Sequence, residues 1–204
     1  MMLEHQGKRP RLGRDVYVAP NATICGDVEI GDGTAILLGA VLTADGGGTL
    51  RIGANCVVME NAVVRATAHH PATIGDNVLI GPQAYATGCT VESNVFLAAG
   101  SRVFNGARIG ARSEVRINGI VHLRTVLPPD SVVPIGWVAV GDPVRILSPH
   151  EHEAIWAVQK DLDFPGYVFG VRRPPPSGTI MPDVMPRYAR ALRRHLQDVV
   201  LAGD

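Results

Sequence analysis

The chain has 204 residues, a formal net charge of zero, 46% hydrophobic residues and only 5% aromatic ones. Zero net charge removes the general electrostatic case for nucleic acid or an anionic membrane as partner. No run is long enough to cross a bilayer as a helix, and a core must be built from Val, Ile, Leu and Ala. Three cysteines without close pairing do not suggest a disulfide framework, and the opening MMLEHQGKRPRLGRD lacks the apolar stretch of a signal peptide, so a cytoplasmic location is expected.

From Ile30 an aliphatic residue recurs every six positions, at Ile36 and Leu42. The count restarts at Ile52, Val58 and Val64, and again at Ile74, Ile80 and Ala86. It resumes through Val91, Leu97, Val103, Ile109, Val115, Val121, Leu127 and Val133, with a small residue four positions after most of these. Six is neither a helix period nor a strand alternation. It is a short strand plus a turn, and three such units close one triangular coil. Coils of this kind bury one another's faces and are not stable singly. Glycine after the aliphatic residue, as at Gly31, Gly53, Gly75, Gly81 and Gly110, is expected at corners that need backbone freedom. The fold class is therefore mainly β: a left-handed parallel β-helix, a triangular prism, over residues 12–147. Residues 148–204 are expected to be a C-terminal helix and a proline- and arginine-rich extension packing on the prism. Two insertions, ADGGGT (44–49) and ATAHHP (66–71), should leave the coils as outward loops on a binding face.

Beyond the prism, Ser148 reads as an N-cap, Pro149 as the first helical residue and Glu151 as the partner in a capping box. Ile155, Val158 and Leu162 share one face of that helix. Residues 164–186 are expected to be extended, and residues 187–200 to form a last helix with Leu192, Leu196 and Val199 on one side. Its arginines are either a solvated face or a dock for a protein partner.

Several segments carry a family resemblance: YVAPNATICGDVEIGDGTAI, GAVLTADGG, ATIGDNVLIGPQAYATGC and the helix after AVGDPVRI. Over residues 15–160 the chain resembles the γ-class carbonic anhydrases, down to a five-residue step from Ala84 to Cys89. In zinc-binding members the corresponding segment reads IGHxxxxHGC, another histidine ends the unit before the second loop, and zinc lies between subunits of a trimer. By position those histidines fall on Pro82, Thr87 and Arg65, and the family's Arg-Gly-Asp becomes Thr43-Ala44-Asp45. Proline has no side-chain donor atom, threonine is a poor neutral ligand and arginine stays cationic. The resemblance thus implies a homotrimer, but one without zinc carbonic anhydrase activity at the family position. No cofactor is predicted. Zinc relocated to His69 and His70, or CoA, remain alternatives.

Register counting places Thr43, Arg65, Thr87, Phe104 and His122 in one column, and Asn61, Gln83 and Asn118 in another. Arg65, Gln83, Tyr85, Thr87, Arg116, Asn118 and Asp45 are expected to bind a small anionic ligand in a cleft between subunits, since guanidinium forks suit carboxylate and phosphate. His122 or His70 would be the catalytic base. The plainer reading makes these groups interface hydrogen bonds with Asp45, Glu60 and Glu114. Cys56 and Cys89 read as packing residues, and Cys25 as an outward thiol. Three functions stay open: a ligand-binding trimer, a CoA-dependent acyltransferase or thioesterase of the wider hexapeptide superfamily, and a catalytically silent assembly subunit.

Overall fold

The structure, a computed structural model, describes residues 1–175 and 177–201. The hexapeptide units wind into a prism with three sheets as its sides, two of seven parallel strands and one of ten that is parallel except for an antiparallel strand at each end. Each side carries one inward ladder. Ile30, Ile52, Ile74, Val91, Ile109 and Leu127 stack in register on one. Ile36, Val58, Ile80, Leu97, Val115 and Val133 stack on the second. Leu42, Val64, Ala86, Val103, Val121 and Ala139 stack on the third, within the ten-stranded sheet. Nearly all of these side chains are sealed from water, and they form one continuous core. Small polar residues inside the corners bridge successive coils. The Thr34 hydroxyl donates to the Gly53 carbonyl at 2.9 Å and accepts from the Cys56 amide at 3.0 Å.

The corner glycines have a different role from the one expected. Gly31, Gly53, Gly75, Gly81 and Gly110 are not in the left-handed region. A Cβ at Gly31 would sit 2.6 Å from the Gly53 carbonyl carbon, and one at Gly110 would sit 2.3 Å from the Pro129 nitrogen. These glycines therefore let adjacent coils approach closely. The left-handed turn is made beside them, by Asn55, Asn61, Asn77, Gln83, Asn94 and Asn118, each with φ between 54° and 63°. Asparagine tolerates that conformation better than most residues.

The two insertions stay closer to the prism than outward loops would. Strands Val41–Asp45 and Val63–Thr67 pair along their full length, and Thr67 and His70 exchange both backbone hydrogen bonds. The prism also starts earlier than expected. Met2–Glu4 lies beside Thr23–Gly26, and the last strand, Val199–Leu201, pairs antiparallel with Met2–Glu4. The two ends of the chain thus meet on the ten-stranded sheet.

The tail departs from its expected form. Helix α1 is His152–Gln159, and its start is shifted. Glu151 does reach back to the Ser148 amide at 2.8 Å, as in a capping box, but the regular helix begins only after it. Ile155 of α1 packs with Val138 and Val140 as expected. Residues 164–186 are partly helical: α2 is Phe164–Phe169, and α3 is Met181–Leu192 with Pro182 in its first turn. α3 ends before Leu196, which is exposed, and Val199 is in a strand, so the expected Leu192–Leu196–Val199 stripe does not form. Pairing with the N-terminal strand overrides helical propensity there. Among the described residues, no helix is long and apolar enough to cross a membrane.

Candidate ligand-binding site

The column deduced from register is present on the ten-stranded sheet. Arg65 lies between Thr43 and Thr87 as a direct strand partner of both, and Phe104 and His122 follow. A side chain in this column points away from the prism axis. It is covered instead by α2 and α3, which cross this face. Between sheet and tail lies a cavity of about 470 Å³. Arg65, Tyr85, Thr87 and Asn105 reach it from the sheet, His70 from the second insertion, and Phe169, Val184 and Tyr188 from the tail.

Two guanidinium groups line this cavity, those of Arg65 and Arg187. The Nε and one terminal nitrogen of Arg65 lie 2.9 and 2.7 Å from Asp45 Oδ2. Its guanidinium carbon stands 5.9 Å from the centre of the Tyr188 ring. Burial works against the charge, but the Tyr188 hydroxyl and the Asp45 carboxylate outweigh it and raise the Arg65 pKa. Arg65 is therefore a permanent cation in a largely apolar enclosure. Asn105 is 9% exposed, and its Oδ1 is buried beside Gly88 without a hydrogen-bond partner among the described residues. An unsatisfied buried acceptor costs about 1–3 kcal/mol unless something fills its shell.

His70 is buried rather than presented on an open loop. Its Nε2 lies 3.0 Å from the Tyr167 carbonyl and must donate there, and its ring is tilted against the Tyr167 ring at 4.7 Å. His69 is exposed, so the adjacent pair points two ways. His122 lies outside the cavity lining, its ring 6.1 Å from Phe104, and burial lowers its pKa.

Gln83, Arg116 and Asn118 do not join this group. Gln83 and Asn118 are exposed corner residues with φ of 57° and 55°, and Arg116 pairs with Glu114 at 3.3 Å. A second, open groove of about 510 Å³ runs along another corner between Arg11, Glu29 and Arg51, whose charges are already paired. Cys25 is a correction of a different kind. It does face out from the prism, but the tail covers it, leaving it 2% exposed. Burial foremost, then the Asp198 carboxylate, pushes its thiol up to about 12, so it is no reactive thiolate. Cys56 and Cys89 are buried packing residues.

The side chains at the zinc positions implied by the resemblance do not suit that ion. Arg65 is cationic and held by Asp45, Thr87 offers only a hydroxyl, and Pro82 offers nothing. Residues 187–198 supplied the contacts that sequence reading missed. Tyr188 and His195 belong to a segment without repeat register.

Stacked six-residue units around an aliphatic axis define a hexapeptide-repeat protein. Residues 71–104 match the family described as "Hexapeptide repeat of succinyl-transferase". The chain belongs, more narrowly, to the γ-carbonic anhydrase family. It is 31% identical to the Methanocaldococcus jannaschii protein named "Probable carbonic anhydrase", over 74% of this chain and 90% of that one. It is 33% identical to mitochondrial gamma carbonic anhydrase 1 of Arabidopsis thaliana, over 72% of this chain and 54% of that one. The chain thus spans about half the length of that relative. A solved structure of Caulobacter crescentus PerB in complex with CoA and GDP-perosamine is also similar, at TM-score 0.50 and 27% identity over 65% of this chain and 58% of that one.

Proposed function

We propose that this γ-carbonic anhydrase-like chain binds a small carboxylate with an apolar body in the cavity beneath its tail, and does not hydrate CO2 through a zinc at the family position. One observation carries this reading: two guanidinium groups, those of Arg65 and Arg187, line one cavity whose other walls are largely aromatic and aliphatic. A ligand carboxylate would meet the Arg65 guanidinium. The apolar part would lie against Phe104, Phe169 and Val184, where dry contact adds affinity. On this reading the site, expected between subunits, lies within one chain. A homotrimer remains the proposed assembly, with the Gln83 and Asn118 corner free to form its contacts.

Loss of carbonic anhydrase activity follows from donor chemistry. Without zinc, no bound water is brought to a pKa near 7. The test is calorimetric titration with a series of carboxylates from benzoate to decanoate, beside a CO2 hydration assay in excess zinc. Saturable binding lost in Arg65→Met, with no hydration above buffer, supports the reading. Zinc-dependent hydration, or carboxylate binding unchanged in Arg65→Met, overturns it.

The likeness to a CoA-bound enzyme favours a second reading, an acyltransferase or thioesterase with His70 as base. Only His70 of the two candidate histidines lines the cavity, and its Nδ1 would have to take the proton because Nε2 donates to Tyr167. Acetyl-CoA turnover abolished in His70→Gln would establish it.

A further inference from the structure

Where the ends of the chain meet, three segments distant in sequence bring four metal-type ligands together. His5 closes the N-terminal strand, and its backbone is fixed by two hydrogen bonds with Lys8. Cys25 lies on the neighbouring strand, partnered with Leu3. His195 sits in the short turn after α3, and Asp198 directly before the last strand. One donor atom from each residue lies within 4.8 Å of every other. Two imidazoles stack at 4.2 Å and aim both Nδ1 atoms at a single carboxylate. His5 Nδ1 is 2.6 Å from Asp198 Oδ1, and His195 Nδ1 is 2.7 Å from Asp198 Oδ2. The Cys25 sulfur is 3.5 Å from Oδ2.

We propose that His5, Cys25, His195 and Asp198 bind one zinc-type divalent cation, and that this ion clamps the end of the tail onto the start of the prism. Zinc takes Cys, His and Asp donors in a tetrahedron with bonds of about 2.0–2.3 Å, which sets donor–donor edges of roughly 3.3–3.8 Å. The cysteine edge already has that length. Each imidazole has to withdraw from the carboxylate by less than about 1 Å to admit the ion. Four protein donors, with His5 and Cys25 both buried, leave no open position, so the site is structural rather than catalytic. The outer support is also in place. His195 Nε2 lies 3.4 Å from Asp45 Oδ1, the arrangement in which a carboxylate fixes the tautomer and direction of a metal-bound imidazole. That same Asp45 holds Arg65 through its other oxygen. The clamp would therefore set the position of α3, which forms one wall of the cavity. This site shares no ligand with Arg65, Pro82 and Thr87, and does not depend on what the cavity binds.

The test uses the untagged full chain, stripped with a chelator, kept reduced and titrated with cobalt(II) chloride. The expected result is one cobalt per chain, with the visible bands of four-coordinate cobalt and a thiolate-to-cobalt charge-transfer band, all displaced by one equivalent of zinc. Cys25→Ser removes the charge-transfer band, and His195→Gln, at a half-exposed position, removes stoichiometric binding. Asp45→Asn weakens affinity by about 10–100-fold. Wild-type protein giving only the spectrum of hydrated cobalt overturns the proposal without recourse to any variant. So does a charge-transfer band that survives in folded Cys25→Ser. As an independent readout, zinc should slow tryptic cleavage at Arg190, Arg193 and Arg194 in wild-type protein; cleavage indifferent to saturating zinc counts against the clamp.

Discussion

The prism and the tail are held by different kinds of interaction. In the prism each residue repeats the environment of its counterpart one coil away. Ile80 touches Val58 below and Leu97 above, and its backbone continues an unbroken parallel ladder. In the tail nothing repeats. Three short helices are held through individual contacts: Val184 and Ile180 against Val171 within the tail, the Tyr167 ring beside His70, and the ends pinned by Asp198. A periodic region spreads a defect over many equivalent neighbours, whereas a region of single contacts can be released by one change. Chemistry gathers along the seam between them, because only there do side chains pointing out of the prism become buried.

The comparison breaks most sharply in the core. Ile80→Ala, at a position with no solvent exposure, should cost about 2–5 kcal/mol and lower the midpoint of chemical denaturation for the whole prism. A change of that size confined to the tail signal would mean that the ladder is not one cooperative unit. Val184→Ala, by contrast, removes two methyl groups from a small cluster, about 1.5–2 kcal/mol. It should act on tail docking alone, raising protease sensitivity between α2 and α3 while the prism midpoint holds. Arg65→Met sits on the seam. It leaves Asp45 without its guanidinium, costs about 1.5–3 kcal/mol, and should abolish carboxylate binding while the β-sheet circular dichroism signal is kept.

The same division explains what was legible in the sequence. The three inward ladders could be counted residue by residue, because a six-residue period survives any local irregularity. So could the Thr43–Arg65–Thr87 column, which register alone fixes. The role of Gly31 and Gly53 was not legible in the same way, because a glycine required for close approach and one required for a left-handed turn look identical in sequence. The coverings were harder still. Gly106 gave no hint that the Tyr167 hydroxyl packs where its Cβ would be, and the antiparallel pairing of Val199–Leu201 with Met2–Glu4 joins segments nearly the whole chain apart. Cys25 was placed on the correct face, but what covers that face depends on a tail without periodicity. The family histidine positions were readable only through the resemblance, and Tyr188 as a neighbour of Arg65 only from the fold.

The smallest expected effect concerns His122, next in the column above Phe104. Its Nδ1 is buried with no partner among the described residues, and burial is the cause of its lowered pKa. The folded state therefore holds it neutral at pH values where the unfolded chain, with a histidine pKa of about 6.5, already binds a proton. Unfolding takes up that proton, so this contribution to stability is complete above about pH 7. It is lost progressively as pH falls through the unfolded value toward the lower folded one. His122→Phe replaces the titrating ring with an apolar one beside Phe104 and should remove the slope it contributes. The informative quantity is the difference between wild-type and variant denaturation midpoints from pH 7.5 to 5. That difference should move in favour of the variant as the pH falls. A constant difference would mean that His122 is hydrated in solution and that the tail stands further from this end of the column than the packed structure places it.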